Sequence, residues 1–225
     1  MGLSVTVGIL ADFLESDPES AELVRGDFDL INTVLRQHGL PAHEKPTSLP
    51  MLHDRSGVTG FPYSFLHYLR RFYARWIAQR EQPFARRLYA RWISKSAQVP
   101  PPVQEGEKPA LDPILEKIAS PTHHVLWHSD CEGYYVPIDF PRVLEDKRID
   151  GGGIGSSVRL LEELILVAAP LGIMLHDRQL SDADANVIAE EEEKSGPYRI
   201  ERLVWLTLFE AARLSIEHHA AIHFG

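Results

Sequence analysis

The chain has 225 residues, of which 44% are hydrophobic and 24% charged, a composition that is typical of globular proteins and excludes disordered and fibrous classes. No apolar run is as long as a membrane span, which needs about 18 residues. The N-terminal segment also lacks the basic residues with which a secretory signal begins. The single cysteine, Cys131, excludes an internal disulfide and an all-thiolate zinc site. These features predict a soluble cytoplasmic protein with one domain over residues 1–225.

Charge is distributed unevenly along the chain, which has 32 acidic and 23 basic residues and a net charge of −9. The window 70–95 holds eight basic residues and one acid, so it carries +7 against −16 for the rest. The acids concentrate in 15–22, in 105–116 and in 182–193, the last with the run Glu190, Glu191, Glu192 and Glu193. This separation of charge predicts a basic partner protein that binds through Glu190–Glu193, or pairing of the basic window with the acidic segments of the same chain. The alternative is that both regions are solvated helix faces.

The first half of the chain predicts a strand and three helices. Residues 4–10 contain alternating β-branched side chains, which is typical of a strand. Asp17 and Pro18 form a capped helix start, and apolar residues follow at helical spacing up to Gly39. The other segments are a loop over 41–60, two helices over 62–95 that break near Pro83, and a proline-rich flexible connector over 97–109.

The second half predicts a hairpin and two apolar-faced helices. Residues 123–128 and 134–140 are strand-like with a short polar loop between them, which predicts an antiparallel hairpin over 123–140. The other segments are a glycine-rich turn over 151–157, a helix over 160–168, an acidic loop or frayed helix over 178–196, a largely buried helix over 198–218 and a final strand over 220–224. The predicted fold class is therefore α+β, helix-dominated, with a small antiparallel sheet.

The loop of the predicted hairpin is a candidate catalytic site because it collects reactive side chains. His128, Asp130, Cys131 and Glu132 offer an imidazole, a thiol and two carboxylates within five residues. As a nucleophile, Cys131 would need a base that the fold holds against it. The competing interpretation is a polar turn, in which Ser129 and Asp130 bond the turn backbone and Gly133 supplies a positive φ.

A metal site is a second interpretation of the same loop. His128 and Cys131 are ligand types that zinc accepts, and the remaining ligands would come from His218 and His223 near the C-terminus. This spacing matches no established zinc pattern. The sequence therefore predicts no cofactor, with zinc as the alternative.

The glycine-rich segment 151–157 is a candidate anion site. Gly153 and Gly155 would let backbone donors approach a ligand, with Ser156 and Ser157 at the N-terminus of the next helix. The segment lacks the lysine of a P-loop and the spacing of a dinucleotide-binding fingerprint. A turn in which Ser156 or Ser157 caps the helix explains the same residues without a ligand.

Aromatic residues and arginines are interleaved over 61–95, as in proteins that bind single-stranded nucleic acid. Phe65, Leu69, Phe72 and Trp76 have helical spacing, however, which favours a buried helix face. The net charge of −9 also disfavours nucleic acid, since attraction to phosphates dominates such binding.

The stretches HSDCEGYYVPIDF (128–140), GGGIGSSVRLLEEL (151–164) and WLTLFEAARLSIEH (205–218) resemble those of hypothetical proteins from bacterial genomes. The resemblance implies a bacterial cytoplasmic origin and transfers no catalytic residue or substrate. Three hypotheses follow from the residues. The first is a protein-binding module of inhibitor or immunity type for a basic partner. The second is a small metal- or cysteine-dependent enzyme using 128–132, and the third is a nucleic-acid binder using 61–95.

Overall fold

The computed structural model describes residues 2–81, 120–190 and 196–225, and the elements are numbered within these residues. The α-helices are α1 (Ile9–Ser16), α2 (Pro18–Gln37), α3 (Tyr63–Glu81), α4 (His124–Trp127), α5 (Ser157–Ala168), α6 (Asp182–Glu190) and α7 (Arg199–Glu217). The strands are β1 (Gly2–Val7), β2 (Gly60–Pro62), β3 (Gly133–Val136), β4 (Leu144–Glu145), β5 (Gly153–Ser156) and β6 (Ile222–Phe224). Over the described ranges, no helix is long and apolar enough to cross a lipid bilayer.

The strands form one mixed sheet in the order β2-β1-β6-β3-β5-β4. The last strand, β6, lies inside the sheet and is antiparallel to β1 on one side and to β3 on the other. Strands β3 and β5 are parallel, and β4 closes the edge antiparallel to β5. The beginning, the middle and the end of the chain are therefore joined through backbone hydrogen bonds.

Each face of the sheet carries its own hydrophobic core, because successive strand residues point to opposite faces. Tyr135 of β3 packs in the core formed with α3, α5 and α7, which we call the first core. Its neighbour Tyr134 packs in the core formed with α1 and α2, the second core. Both tyrosines are almost completely buried. The fold is α+β, as predicted, with helices covering both faces of the sheet.

Helix α7 forms the centre of the first core and confirms the predicted buried helix over 198–218. Trp205 is inaccessible to solvent, and its indole N–H donates to the carbonyl oxygen of Leu164 at 2.8 Å. Its ring also stacks on Phe209. These contacts fix α7 against α5, whose apolar face over 160–168 the sequence predicts as well.

The start of α2 confirms the predicted cap. The Asp17 side chain accepts hydrogen bonds from the backbone N–H groups of Glu19 and Ser20, and Pro18 occupies the first turn.

Helix α1 differs from the prediction, since residues 4–10 have the pattern of one strand. Gly8 ends that strand with a φ of +81°, and a Cβ there would lie 2.1 Å from a side-chain carbon of Leu49.

The predicted antiparallel hairpin over 123–140 is wrong. Residues His124–Trp127 form the helix α4, and β3 pairs with β5 and β6. The sheet is also larger than predicted and is mixed, because β3 and β5 run parallel.

Two buried ionisable side chains explain why 124–127 is helical. The two side-chain oxygens of Glu163 accept the backbone N–H groups of His124 and Val125 at 2.7 Å each. At the other end, the Arg70 guanidinium donates to the carbonyl oxygens of Val125 and His128. Both residues satisfy helix-terminal backbone groups that would otherwise be buried without partners. Because Glu163 and Arg70 are distant in sequence, the local pattern does not reveal the helix.

The glycine-rich segment 151–157, predicted as a turn, contributes β5 and the first residue of α5. The acidic segment 178–196 contains α6, which ends at Glu190, so the helix alternative is correct over Asp182–Glu190. The predicted connector over 97–109 and the second helix of 62–95 lie outside the described residues.

We predict that α7 dominates the stability of the first core. Replacing the buried Leu208 with alanine should reduce the free energy of unfolding by about 2–5 kcal/mol, because it removes apolar contacts and leaves a cavity. Urea denaturation measures this change, with Val187→Ala on the exposed side of α6 as the control. A loss below about 1 kcal/mol for Leu208→Ala would contradict the packing described for α7.

A second prediction concerns Glu163 and pH. Burial raises the pKa of Glu163 from 4.5 to about 8, although hydrogen bonds from Val125 and His124 act in the opposite direction. Between these values the folded protein holds a proton that the unfolded chain has released, so this residue makes stability fall as pH rises. Buried histidines titrate with the opposite sign, so the informative quantity is a difference between two proteins.

The comparison is between the wild type and Glu163→Gln in urea denaturation from about pH 5 to pH 8. The stability of the wild type relative to the variant should fall by more than about 1.4 kcal/mol, the equivalent of one pKa unit. A difference that stays constant over this interval would mean that Glu163 titrates in the ordinary range of a carboxyl group.

Candidate functional site

Helices α1 and α2 form a hairpin whose outer surface is acidic. Over residues 9–37 the chain has seven carboxylates and two arginines. The carboxylates that are exposed to solvent are Asp12, Glu15, Asp17, Glu19, Glu22 and Asp29. We call the surface formed by these six residues the acidic hairpin face.

Helical periodicity places the carboxylates of α2 on one side. Glu19, Glu22 and Asp29 are three and seven residues apart, which puts them within about a quarter turn of one another around the helix axis. Val24 and Phe28 lie on the opposite side of α2 and are buried in the second core. Packing against the sheet therefore fixes the carboxylates toward solvent.

The carboxylates of the acidic hairpin face differ in what they do for the fold. Burial and the charge of Glu15 raise the pKa of Asp12, and like charges at such a spacing destabilise a helix by about 0.2–0.5 kcal/mol. Asp17, in contrast, caps α2, and hydrogen bonds from Ser20 lower its pKa. Asp12 and Glu15 thus add a repulsion that the fold itself does not need.

Two cations lie beside these carboxylates. Arg25 forms an ion pair with Glu22 at 3.1 Å, and Lys45 forms one with Asp29. The carboxylates of both pairs are about three-quarters exposed, at 75% and 77%. Exposed pairs of this kind stabilise a protein by only about 0–1 kcal/mol, so basic groups of a partner can compete for the same carboxylates.

Elsewhere in the described residues, several arginines bind internal acceptors. Arg55 pairs with Glu210 of α7, whose side chain is inaccessible, and Arg213 contacts the same carboxylate. Burial raises the pKa of Glu210, but the hydrogen bonds and charges of these two arginines have the larger, opposite effect. The pKa of Glu210 is therefore below its ordinary value. These guanidinium groups stabilise the contact between the 42–59 loop and α7.

In residues 61–81, the described part of 61–95, the structure favours the buried helix face over the predicted nucleic-acid surface, and Trp76 is only partly buried, with the Arg80 guanidinium over its ring. Phe61, Phe72 and Tyr73 are buried in the first core, as the alternative interpretation of helical spacing expects. Arg70 and Arg71 are buried with them. Bases cannot stack on side chains that are covered by the protein itself. Residues 82–95 lie outside the described part of the chain.

The candidate catalytic residues lie in a loop between α4 and β3. His128 is buried and stacked on Tyr135 with ring centroids 4.0 Å apart, and burial lowers its pKa to about 4. The Oδ2 atom of Asp130 lies 3.3 Å from the Nε2 atom of His67 on α3. Cys131 and Glu132 are exposed, and the Sγ atom of Cys131 lies 3.6 Å from the Ser129 hydroxyl. The loop bonds its own backbone through Ser129, which agrees with the polar-turn interpretation.

The four candidate metal ligands serve separate structural roles. Both ring nitrogens of His128 face backbone carbonyl oxygens. His218 ends α7, and His223 lies in β6 with its ring against Tyr134. Cys131 stays exposed in its loop. Across the described ranges, no three histidine, cysteine or acidic side chains form a group that could hold a metal ion.

The candidate anion-binding residues are inside the protein. Gly153, Gly155, Ser156 and Ser157 are all buried. The Ser156 hydroxyl accepts the backbone N–H of Arg159 as the N-cap of α5, and it donates to a backbone carbonyl. The Ser157 hydroxyl is 2.7 Å from that of Ser215. The structure thus supports the capping interpretation of this segment.

The acidic run that the sequence identifies is only partly visible. Glu190 is exposed at the end of α6, and Glu191, Glu192 and Glu193 lie outside the described residues. The sequence also predicts the concentration of acid over 15–22, which does not include Asp12. The apolar residues of 9–14 have a spacing that fits a helix as well as a strand, and this spacing could have indicated the helix that carries Asp12.

Comparison with known proteins identifies a family. A family model described as “Putative DNA-mimic protein” matches residues 1–86 and 83–224, which together include almost the whole chain. No curated protein and no solved structure gives a significant match. Since the family model matches well over half of the sequence, the chain belongs to the “Putative DNA-mimic protein” family.

Proposed function

We propose that this protein binds a DNA-binding protein in place of DNA and so acts as an inhibitor of that partner. The match to the DNA-mimic family is the observation that carries the proposal. The acidic hairpin face supports it, because a surface that replaces DNA must offer negative charge to a basic binding surface.

The charge spacing on α2 supports the same proposal. Each strand of DNA carries one phosphate charge per about 3.4 Å. The ten-residue interval from Glu19 to Asp29 is about 15 Å long at 1.5 Å per residue and carries three outward carboxylates. The neighbouring helix α1 adds Asp12 and Glu15. The linear density of carboxylates is thus within about a factor of two of the phosphate density of one DNA strand. Arg25 and Lys45 reduce the net charge of the unbound surface, and basic groups of a partner would have to replace them.

The repulsion between Asp12 and Glu15 also favours a binding role. A basic partner would relieve this repulsion, so part of the electrostatic cost in the unbound protein would become binding free energy. Attraction between the two surfaces would also raise the association rate and would weaken as salt screens the charges.

The run Glu190–Glu193 is a second candidate for the same role. Its first residue ends α6 and is exposed. Two ion pairs lie near it, Asp182 with Arg55 and Glu162 with Arg178, just as two lie beside the acidic hairpin face. We assign the main contact to the acidic hairpin face because all six of its carboxylates lie within the described residues and are exposed together.

The experiment compares two variants that each lose four negative charges. One is Asp12→Asn, Glu15→Gln, Glu19→Gln and Glu22→Gln, and the other replaces Glu190–Glu193 with glutamine. Protein captured from the nuclease-treated host lysate at low salt is identified, and its affinity for each variant is measured. The hairpin variant should bind at least about fourfold more weakly than the wild type, since four exposed ion pairs of about 0.2–1 kcal/mol each contribute about 0.8–4 kcal/mol together.

The Glu190–Glu193 variant is the matched control, because its net charge changes by the same amount. It should retain an affinity within about threefold of the wild type. Loss of binding in this variant, with no loss in the hairpin variant, would transfer the contact to the end of α6. Equal binding of both variants, with no effect of salt, would contradict recognition by charge.

A further inference from the structure

A cavity of about 420 Å³ lies between α4 and the edge of the sheet. Trp127 lines one side, Glu145 of β4 and the following Asp146 line another, and the backbone of 151–153 completes it. The cavity is separate from the acidic hairpin face in its residues. It thus offers an independent place at which a partner could be recognised.

Trp127 is unusual because 39% of this large aromatic side chain is exposed, whereas Trp205 is fully buried. Its indole N–H donates to the Glu145 Oε1 atom at 2.6 Å. The bond holds an aromatic ring and a carboxylate next to each other on the wall of the cavity. A carboxylate has about four acceptor positions, so Glu145 retains capacity for further donors.

The backbone on the far side leaves the space open. Gly151 has a φ of +75°, and a Cβ there would lie 2.2 Å from the carbonyl oxygen of Glu132, so this position requires glycine. A Cβ on Gly152 would meet no atom within 4 Å, which shows that the backbone is open to solvent there. Gly151, Gly152 and Gly153 thus line the cavity with backbone atoms alone.

The other charged residues of the cavity leave Glu145 as its main acceptor. Asp146 accepts hydrogen bonds from the side chain and the backbone N–H of Arg148, which lowers its pKa to about 2. Lys147 is exposed on the same rim, and its positive charge competes with an incoming cation for Glu145. The carboxylate beside the indole ring is therefore the group best placed to attract a cation.

We propose that this cavity binds an arginine side chain of the partner protein. A guanidinium group is planar and can lie over the indole ring of Trp127 while its N–H groups donate to Glu145. It is also less strongly hydrated than the ammonium group of lysine, so it enters a partly enclosed space at a lower cost. The choice of ligand rests on the proposed function, because DNA-binding surfaces commonly present arginine to the phosphates and base edges of DNA.

The binding of the side chain is tested without the partner. The full-length ¹⁵N-labelled protein is titrated with N-acetyl-arginine amide, and the indole N–H resonance of Trp127 is followed, with Trp127→Phe used to assign it. N-acetyl-citrulline amide has the same length and a planar end group but no charge. The arginine compound should cause a saturable shift, and the citrulline compound should cause none. N-acetyl-lysine amide, which has the charge without the planar end group, should bind at least about fivefold more weakly than the arginine compound.

Two charge-matched variants identify the residue responsible. Glu145→Gln should weaken the arginine compound by about fivefold or more, whereas Glu132→Gln, at an exposed position outside the cavity lining, should change its affinity by less than about twofold. Equal binding of arginine and citrulline, or equal effects of the two variants, would overturn the proposal.

The titration and the hairpin comparison can fail independently. A negative titration together with weaker binding by the hairpin variant would overturn only the arginine site. A saturable arginine shift together with no effect of the hairpin variant would overturn only the proposed use of the acidic hairpin face.

Discussion

The position of β6 between β1 and β3 is the constraint on which the rest of the molecule depends. Because the last strand completes the middle of the sheet, the two halves of the chain share one backbone hydrogen-bond network. The alternation of Tyr134 and Tyr135 in β3 then divides the apolar side chains between two cores. As a consequence, α7 is enclosed on one face of the sheet, and the α1–α2 hairpin on the other face keeps its outer side in solvent.

This arrangement separates two kinds of charge. Arg70 and Glu163 satisfy buried backbone groups around α4, and Arg55 with Glu210 fixes a long loop to α7. These residues act within the fold. On the acidic hairpin face, Asp17 also acts within the fold, because it caps α2. Asp12 and Glu15 instead lie on a surface whose packing is complete without them, and their charges oppose each other. Such a repulsive group is understandable when a basic partner supplies the compensating charge.

The parts of the fold that could be predicted from sequence are those determined by local pattern. The α2 cap at Asp17 and the apolar periodicity of α7 depend on neighbours within a few residues, and both predictions are confirmed. Helix α4 depends on Glu163 and Arg70, which are far away in the chain, so a strand was predicted there instead. The pairing of Trp127 with Glu145 has the same origin, because two residues from different elements meet only after folding.

Replacement of DNA at the partner's binding surface is the central claim, and competition measures it directly. Once the partner is captured, its affinity for a labelled DNA duplex is measured at increasing concentrations of this protein and at constant salt. If the protein occupies the DNA-binding surface, the apparent dissociation constant for DNA should rise in proportion to its concentration, and no ternary complex should form. A stable complex containing partner, DNA and this protein together, with unchanged DNA affinity, would contradict the account.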